Sequence, residues 1–318
     1  MIEVKDLVKK YGSHLAVDHL SFTLESGKIY GFLGPNGAGK STTMNIMTGY
    51  LGATQGSVLI DGHDILKEPE EAKKHIGYLP ELPPLYMDMT VQEYLEFAAE
   101  LKKLPKEKRE SDISEVMKLT RLQDVSGRLI KNLSKGYKQR VGLAQAILGF
   151  PEIIILDEPT VGLDPKQIIE IRELIRTLSK KHTVILSSHI LAEVREVCDY
   201  ILIISKGKLV ASDTPENLEL LRNGASSLEL EVKAAPETAR AILSTIDDIN
   251  TMEMHIENEN LTRVKLETKN GADIREAVFY AFAEEKCPLL EMKTAKASLE
   301  DIFMELTQKE ESNDAGNL

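Results

Sequence analysis

Ile29-Tyr-Gly-Phe-Leu-Gly-Pro-Asn-Gly-Ala-Gly-Lys-Ser-Thr42 decides how this chain is read. Its first five residues form a continuous apolar run, as expected of a strand buried on both faces. The next eight, Gly34 to Ser41, match G-x-x-x-x-G-K-S/T, and a helix-compatible run continues to Met47. Strand, glycine-rich turn and helix in that order make a phosphate loop. Gly34, Gly37 and Gly39 let consecutive backbone N–H groups turn inward as an anion nest, and the helix N-terminus adds the positive end of its dipole. Pro35, Asn36, Ala38 and Thr42 complete the expected cradle. Lys40 is placed to reach the β- and γ-phosphates of a nucleotide, and the Ser41 hydroxyl to ligate Mg²⁺.

Further apolar runs at Ile153–Leu156, Val184–Leu186 and Ile201–Ile204 are separated by helical stretches, which predicts an α/β domain with a largely parallel core sheet. Earlier segments alternate instead: Ile2 with Val4, Phe22 with Leu24, and Ser57–Ile60 running into an Asp61-Gly62 turn. These predict an antiparallel side sheet. Between about 85 and 150 the pattern turns helical. Thr90 and Glu93 form a capping box, and Val91, Tyr94, Leu95, Ala98 and Leu101 fall on one face. That stretch is expected to be a helical subdomain inserted in the core.

The pattern shifts near Pro215, giving expected domains at 1–220 and 226–308 and a polar tail at 309–318. In the second domain, the alternation Leu228, Leu230, Val232 leads to a helix after Pro236. Two β-like runs flank the turn near Asn258, Glu259 and Asn260, a helix spans roughly 272–286, and a short run ends at Lys293. This β-α-β-β-α-β order is ferredoxin-like. A closing helix capped by Ser298 and Asp301 follows.

The chain has 318 residues, with 39 Lys and Arg against 51 Asp and Glu, so 39 − 51 gives −12. Such acidity makes broad nucleic-acid binding a poor expectation. Its two cysteines, Cys198 and Cys287, are far apart, which argues against a disulfide framework or a zinc knuckle and for a reducing compartment. No apolar run approaches the ~20 residues of a membrane span.

Ile153-Ile-Ile-Leu-Asp-Glu158 is an apolar strand ending in two carboxylates. Alone it is an ordinary strand exit; beside a phosphate loop, Asp157 is placed to hold Mg²⁺ through its water shell and Glu158 to act as general base on the attacking water. Leu133-Ser-Lys-Gly-Tyr-Lys-Gln-Arg140 precedes a helical run, with Ser134 at the N-cap and the Gly136 N–H free to face an anion.

Phosphate loop, this segment and the Asp-Glu strand, in that order, resemble the nucleotide-binding subunit of ATP-binding cassette (ABC) transporters over roughly residues 1–220. The family's usual L-S-G-G-Q appears here as Leu133-Ser-Lys-Gly-Tyr137, a form similar to the drug, sodium and polysaccharide exporter branch. The resemblance implies further residues. Tyr11 matches the aromatic that stacks on adenine, Asp164 of Gly162-Leu-Asp164 the loop crossing a dimer interface, and His189 the switch histidine contacting the γ-phosphate. Glu81 stands where the family usually has Gln, as a metal or water contact that adds negative charge. The implied protein is a cytoplasmic ATPase, peripheral on the inner face of the cell membrane. It binds ATP and Mg²⁺ between two copies, or between this chain and a related ATPase, with Ser134 and Gly136 acting in trans, and drives a separately encoded permease, most simply an exporter. Two other readings stand beside it: a soluble cassette ATPase on DNA or ribosomes, and an ATP sensor without turnover. The single cassette and the acidic charge disfavour the first, and the intact Asp157-Glu158 pair with His189 disfavours the second.

Overall fold

The computed structural model describes residues 1–220, 227–258, 261–269 and 272–295. The chain divides into two compact units, Met1–Pro215 and Glu216–Leu318.

The first unit opens with β1 (Ile2–Tyr11), β2 (His14–Leu24), β3 (Ile29–Leu33) and α1 (Lys40–Met47). It continues through β4 (Gln55–Ile60), β5 (His63–Asp64), α2 (Pro69–Lys74) and β6 (Ile76–Leu79). Helices α3 (Val91–Leu101), α4 (Lys106–Leu119) and α5 (Lys135–Ile147) follow, then β7 (Ile153–Leu156), α6 (Pro165–Ser179), β8 (Thr183–Ser188), α7 (Leu191–Val197), β9 (Tyr200–Ser205) and β10 (Lys208–Asp213). Two sheets result: β2-β1-β4-β5, antiparallel, and β10-β9-β3-β8-β7-β6, parallel except at the β10 edge. This is the P-loop α/β core with an antiparallel side sheet. The apolar runs are wholly buried in β3, β7 and β8, which is why they carry no alternation. Ile76–Leu79 was not singled out as a strand; its four residues contain Gly77 and alternate in burial at the sheet edge.

Helix α1 lies in the core between the sheets. One apolar cluster runs from Ile2, Val4 and Leu7 through Met44 and Met47 to Phe32, Ile155 and Ile185. Each such side chain stabilises the fold by about 1.5–3 kcal/mol. On the parallel sheet, α7 packs unusually close to β3: a methyl on Gly31 would overlap Val194 and come within 2.8 Å of the Cys198 sulfur. The helical stretch forms as expected at α3, where Thr90 Oγ1 accepts from the Glu93 N–H at 3.2 Å and Glu93 accepts from the Thr90 N–H at 2.8 Å.

The second unit begins within α8 (Pro215–Leu220). It comprises β11 (Ser227–Val232), α9 (Pro236–Leu243), β12 (Ile249–Asn258), β13 (Leu261–Thr268), α10 (Arg275–Glu284) and β14 (Leu289–Ala295). Its sheet, β12-β13-β11-β14, is antiparallel throughout, the ferredoxin-like order. Leu228, Leu230 and Val232 meet Ile242, Leu243, Val278 and Phe282 in its core. Helix α10 starts three residues later than its apolar pattern, behind Asp273, which accepts from the Arg275 N–H at 3.2 Å. Glu259, Asn260, the helix capped by Ser298 and Asp301, and the tail 309–318 lie outside the described residues.

Candidate functional site

Three neighbouring strand ends build the site. In the order β3-β8-β7, Leu33 pairs with Ser188 and Leu156 with Leu186, so the chain leaves all three strands at the same edge. With strands spaced by about 4.8 Å, β3 and β7 stand about 10 Å apart and β8 lies between them. The phosphate loop extends from β3, the Asp157-Glu158 pair from β7, and His189 from β8. Sheets of this kind bind ligands at such C-terminal edges.

Gly39 caps α1 with a φ of 101°, a left-handed conformation that glycine adopts without penalty. The loop turns into the helix there, closed by the Ala38 N–H donating to the Pro35 carbonyl at 3.1 Å. Lys40 is only 6% exposed. Its ammonium donates to the Gly34 carbonyl at 2.8 Å and the Pro35 carbonyl at 3.2 Å, and lies 3.9 Å from Glu158 Oε1. Burial lowers its pKa below the usual lysine range, against the opposing pull of Glu158, Asp157 and Glu81.

The two carboxylates are held differently. Asp157 Oδ1 accepts from Ser187 Oγ at 2.5 Å and Ser41 Oγ at 3.3 Å. Ser187 also accepts from the Glu158 N–H at 2.9 Å, so one buried hydroxyl fixes both residues. Glu158 is 7% exposed, has a φ of 48°, and places both carboxylate oxygens 3.1 Å from His189 Nδ1. A left-handed φ costs a non-glycine residue ~1–3 kcal/mol and persists only where its surroundings enforce it. Burial raises the Glu158 pKa above the ordinary glutamate range, and the His189 hydrogen bond and Lys40 oppose that rise. Ser41 and Asp157 together present a hydroxyl and a carboxylate, the hard oxygen donors that Mg²⁺ prefers, so the residues fit that ion.

A cavity of about 330 Å³ is lined by Tyr11, Asn36, Gly37, Gly39, Lys40, Ser41, Thr42, Glu81, Glu158 and His189, together with His14, Ala16 and Val161. Tyr11 is half exposed at the end of β1, with Lys9 Nζ 5.2 Å from its ring centroid. Glu81 is exposed between this cavity and a second one of about 640 Å³, which Ser41 and Asp157 also line.

Ser134, Gly136 and Asp164 do not line the nucleotide cavity. Ser134 caps α5 by accepting from the Tyr137 N–H at 3.4 Å, and Asp164 caps α6 by accepting from the Gln167 N–H at 2.9 Å. The two segments pack together: Gly136 lies against Gln167, and Lys135 reaches over Gly162. Ser187, Ser188, Thr160 and Glu193 were missed in the sequence. Two serines ahead of a histidine at the end of an apolar strand were the available signal.

This architecture and these residues define a P-loop ATPase core. The family model described as "ABC transporter" matches residues 17–161. The uncharacterized ABC transporter ATP-binding protein YhcH of Bacillus subtilis (strain 168) is 37% identical over 310 residues, covering 96% of each chain. The bacitracin transport ATP-binding protein BcrA of Bacillus licheniformis is 35% identical over 308 residues, covering 96% of this chain and 97% of its own. Among solved structures, a dimeric ATP-binding cassette in a post-hydrolysis state bound to ADP and Pi superposes with a TM-score of 0.62 at 27% identity, over 67% of this chain and 98% of that one. The chain belongs to the ABC transporter ATP-binding family: it is an ATPase subunit that powers a separate membrane permease. Among the described residues, no helix is long and apolar enough to cross a membrane.

Proposed function

We propose that two copies of this chain, or this chain and a related ATPase, hold two ATP molecules between them, and that hydrolysis separates the pair and drives an exporting permease. The observation that carries the reading is the Glu158 carboxylate, which stands beside both the Lys40 ammonium and the His189 imidazole. Lys40 and the loop N–H groups bind the β- and γ-phosphates, and Tyr11 stacks on adenine. Mg²⁺, held by Ser41 and by Asp157 through water, with Glu81 nearby, would neutralise charge on the phosphates. Glu158 takes a proton from the attacking water, and His189 both orients Glu158 and contacts the γ-phosphate. Burial suits Glu158 to this task, because a base with a raised pKa accepts a proton more readily.

Ser134 and Gly136 of the opposite copy then close the site over the γ-phosphate, with Asp164 at the crossing between copies. The exposed positions of Ser134 and Asp164 on this chain support that arrangement. Tyr50, 82% exposed, and Leu82, 78% exposed, flank Glu81 and offer the permease an apolar docking face on the inner side of the membrane. The second, ferredoxin-like unit is proposed as an accessory domain.

Phosphate release by the purified chain tests the assignment. Glu158→Gln should lower turnover by ~10²–10⁴ while an ATP-bound dimer accumulates on gel filtration. Lys40→Ala should abolish ATP binding. Wild-type turnover in either variant removes that residue from the mechanism.

A further inference from the structure

The loop carrying Glu158 and the loop carrying His189 leave different strands, yet both are tied to one side chain on α7. Glu193 is 8% exposed. Its Oε2 accepts from Thr160 Oγ1 at 2.6 Å and from Ser188 Oγ at 3.2 Å. Ser188 in turn accepts from the Ile190 N–H at 3.0 Å, which closes a turn around His189. Thr160 is two residues beyond Glu158, whose left-handed φ needs enforcement from outside its own segment. Ser187 fixes the N–H side of Glu158, and the Thr160 tether fixes the side that follows. Burying a carboxylate is costly unless its oxygens are satisfied, and here a hydroxyl from each loop converges on the same oxygen. The close seat of α7 on β3 at Gly31 sets where that oxygen lies.

We propose that Glu193 is a positioning residue of the ATPase. It clamps the Thr160 segment to the Ser188–Ile190 turn, so that the Glu158 carboxylate and the His189 imidazole keep their 3.1 Å separation. The inference rests on the roles assigned above to Glu158 and His189. Neither Glu193 nor Thr160 lines the nucleotide cavity, so the clamp acts on turnover and not on binding.

The test compares phosphate release and affinity for a fluorescent ATP analogue in the full chain and its variants. Glu193→Ala should lower kcat by ~10–10² while nucleotide affinity stays within about twofold, since a misplacement of about 1 Å at reacting groups costs that much. Glu193→Gln keeps a carbonyl oxygen where Oε2 stood and should restore most of kcat. Thr160→Val should lower kcat at unchanged affinity, and adding it to Glu193→Ala should bring no further loss, because the two act through one contact. Wild-type kcat in Glu193→Ala, an equal fall in affinity, or no recovery in Glu193→Gln overturns the clamp. If Glu193→Ala fails to fold in a thermal scan, Thr160→Val decides by the same split between kcat and affinity. Glu158→Gln, run alongside, separates the two levels. Wild-type turnover there removes the roles on which the clamp rests, whereas a dead Glu158→Gln beside a normal Glu193→Ala overturns the clamp alone.

Discussion

On one side of the cassette, Lys40, Ser41, Glu158 and His189 are gathered from three strand ends around one concavity, with Asp157 hydrogen-bonded to Ser41. Elsewhere, Ser134 and Asp164 sit exposed at the N-termini of α5 and α6, each accepting a backbone N–H of its own helix. The first region is concave, with Lys40, Asp157 and Glu158 buried, and its charges already face one another. The second satisfies itself locally and presents two helix N-termini outward. The difference teaches that one chain carries two unlike halves of a site, one preorganised around phosphate and one awaiting it.

The comparison breaks most sharply on the exposed half. Ser134→Ala should lower turnover by ~10² while leaving ATP binding to the isolated chain intact, as expected for a donor that meets the phosphate only on closure. Mixing Ser134→Ala with Lys40→Ala chains should then restore up to about a quarter of wild-type activity, because half of randomly paired dimers are mixed and each holds one intact site. Two inactive proteins that stay inactive together would place both halves in one chain.

A smaller effect sharpens the concave half. Tyr11→Ala should weaken ATP affinity about tenfold, the scale of one base–aromatic stack, with kcat at saturation unchanged. Unchanged affinity by equilibrium titration would remove Tyr11 from the adenine contact. The smallest effect is on pH. Burial raises the Glu158 pKa, and a base works only when deprotonated, so activity falls as pH drops through a limb lying above the ordinary glutamate range. Removing the His189 hydrogen bond that opposes this rise should push the limb to higher pH, read from residual turnover of His189→Ala. A limb that stays put or moves to lower pH would contradict the contact.

Much of this was legible in the sequence wherever the determinant is local. Gly34–Thr42 specify their loop through contiguous glycines, Thr90 and Glu93 cap a helix three residues apart, and Asp157-Glu158 end an apolar strand. The ferredoxin-like order was legible too, because two hydrophobic periods alternate between 228 and 293. What escaped is held by side chains that meet across the sequence. Thr160 and Glu193 are 33 residues apart, and Ser187 reaches back 30 residues to Asp157. No pattern within a helix or strand period marks such pairs. The edge strand at Ile76–Leu79 escaped for another reason: four residues with a glycine are too few to show a period.

The tight seat of α7 on β3 has a chemical consequence. Leaving out a side chain at Gly31 lets the helix settle directly on backbone, and the Cys198 thiol ends up sealed in that joint. Burial pushes the thiol pKa up, so it stays protonated and is a poor nucleophile. Oxidants and alkylating reagents therefore meet no thiolate there, and the strand feeding the phosphate loop stays locked to its helix whether its surroundings are oxidising or reducing.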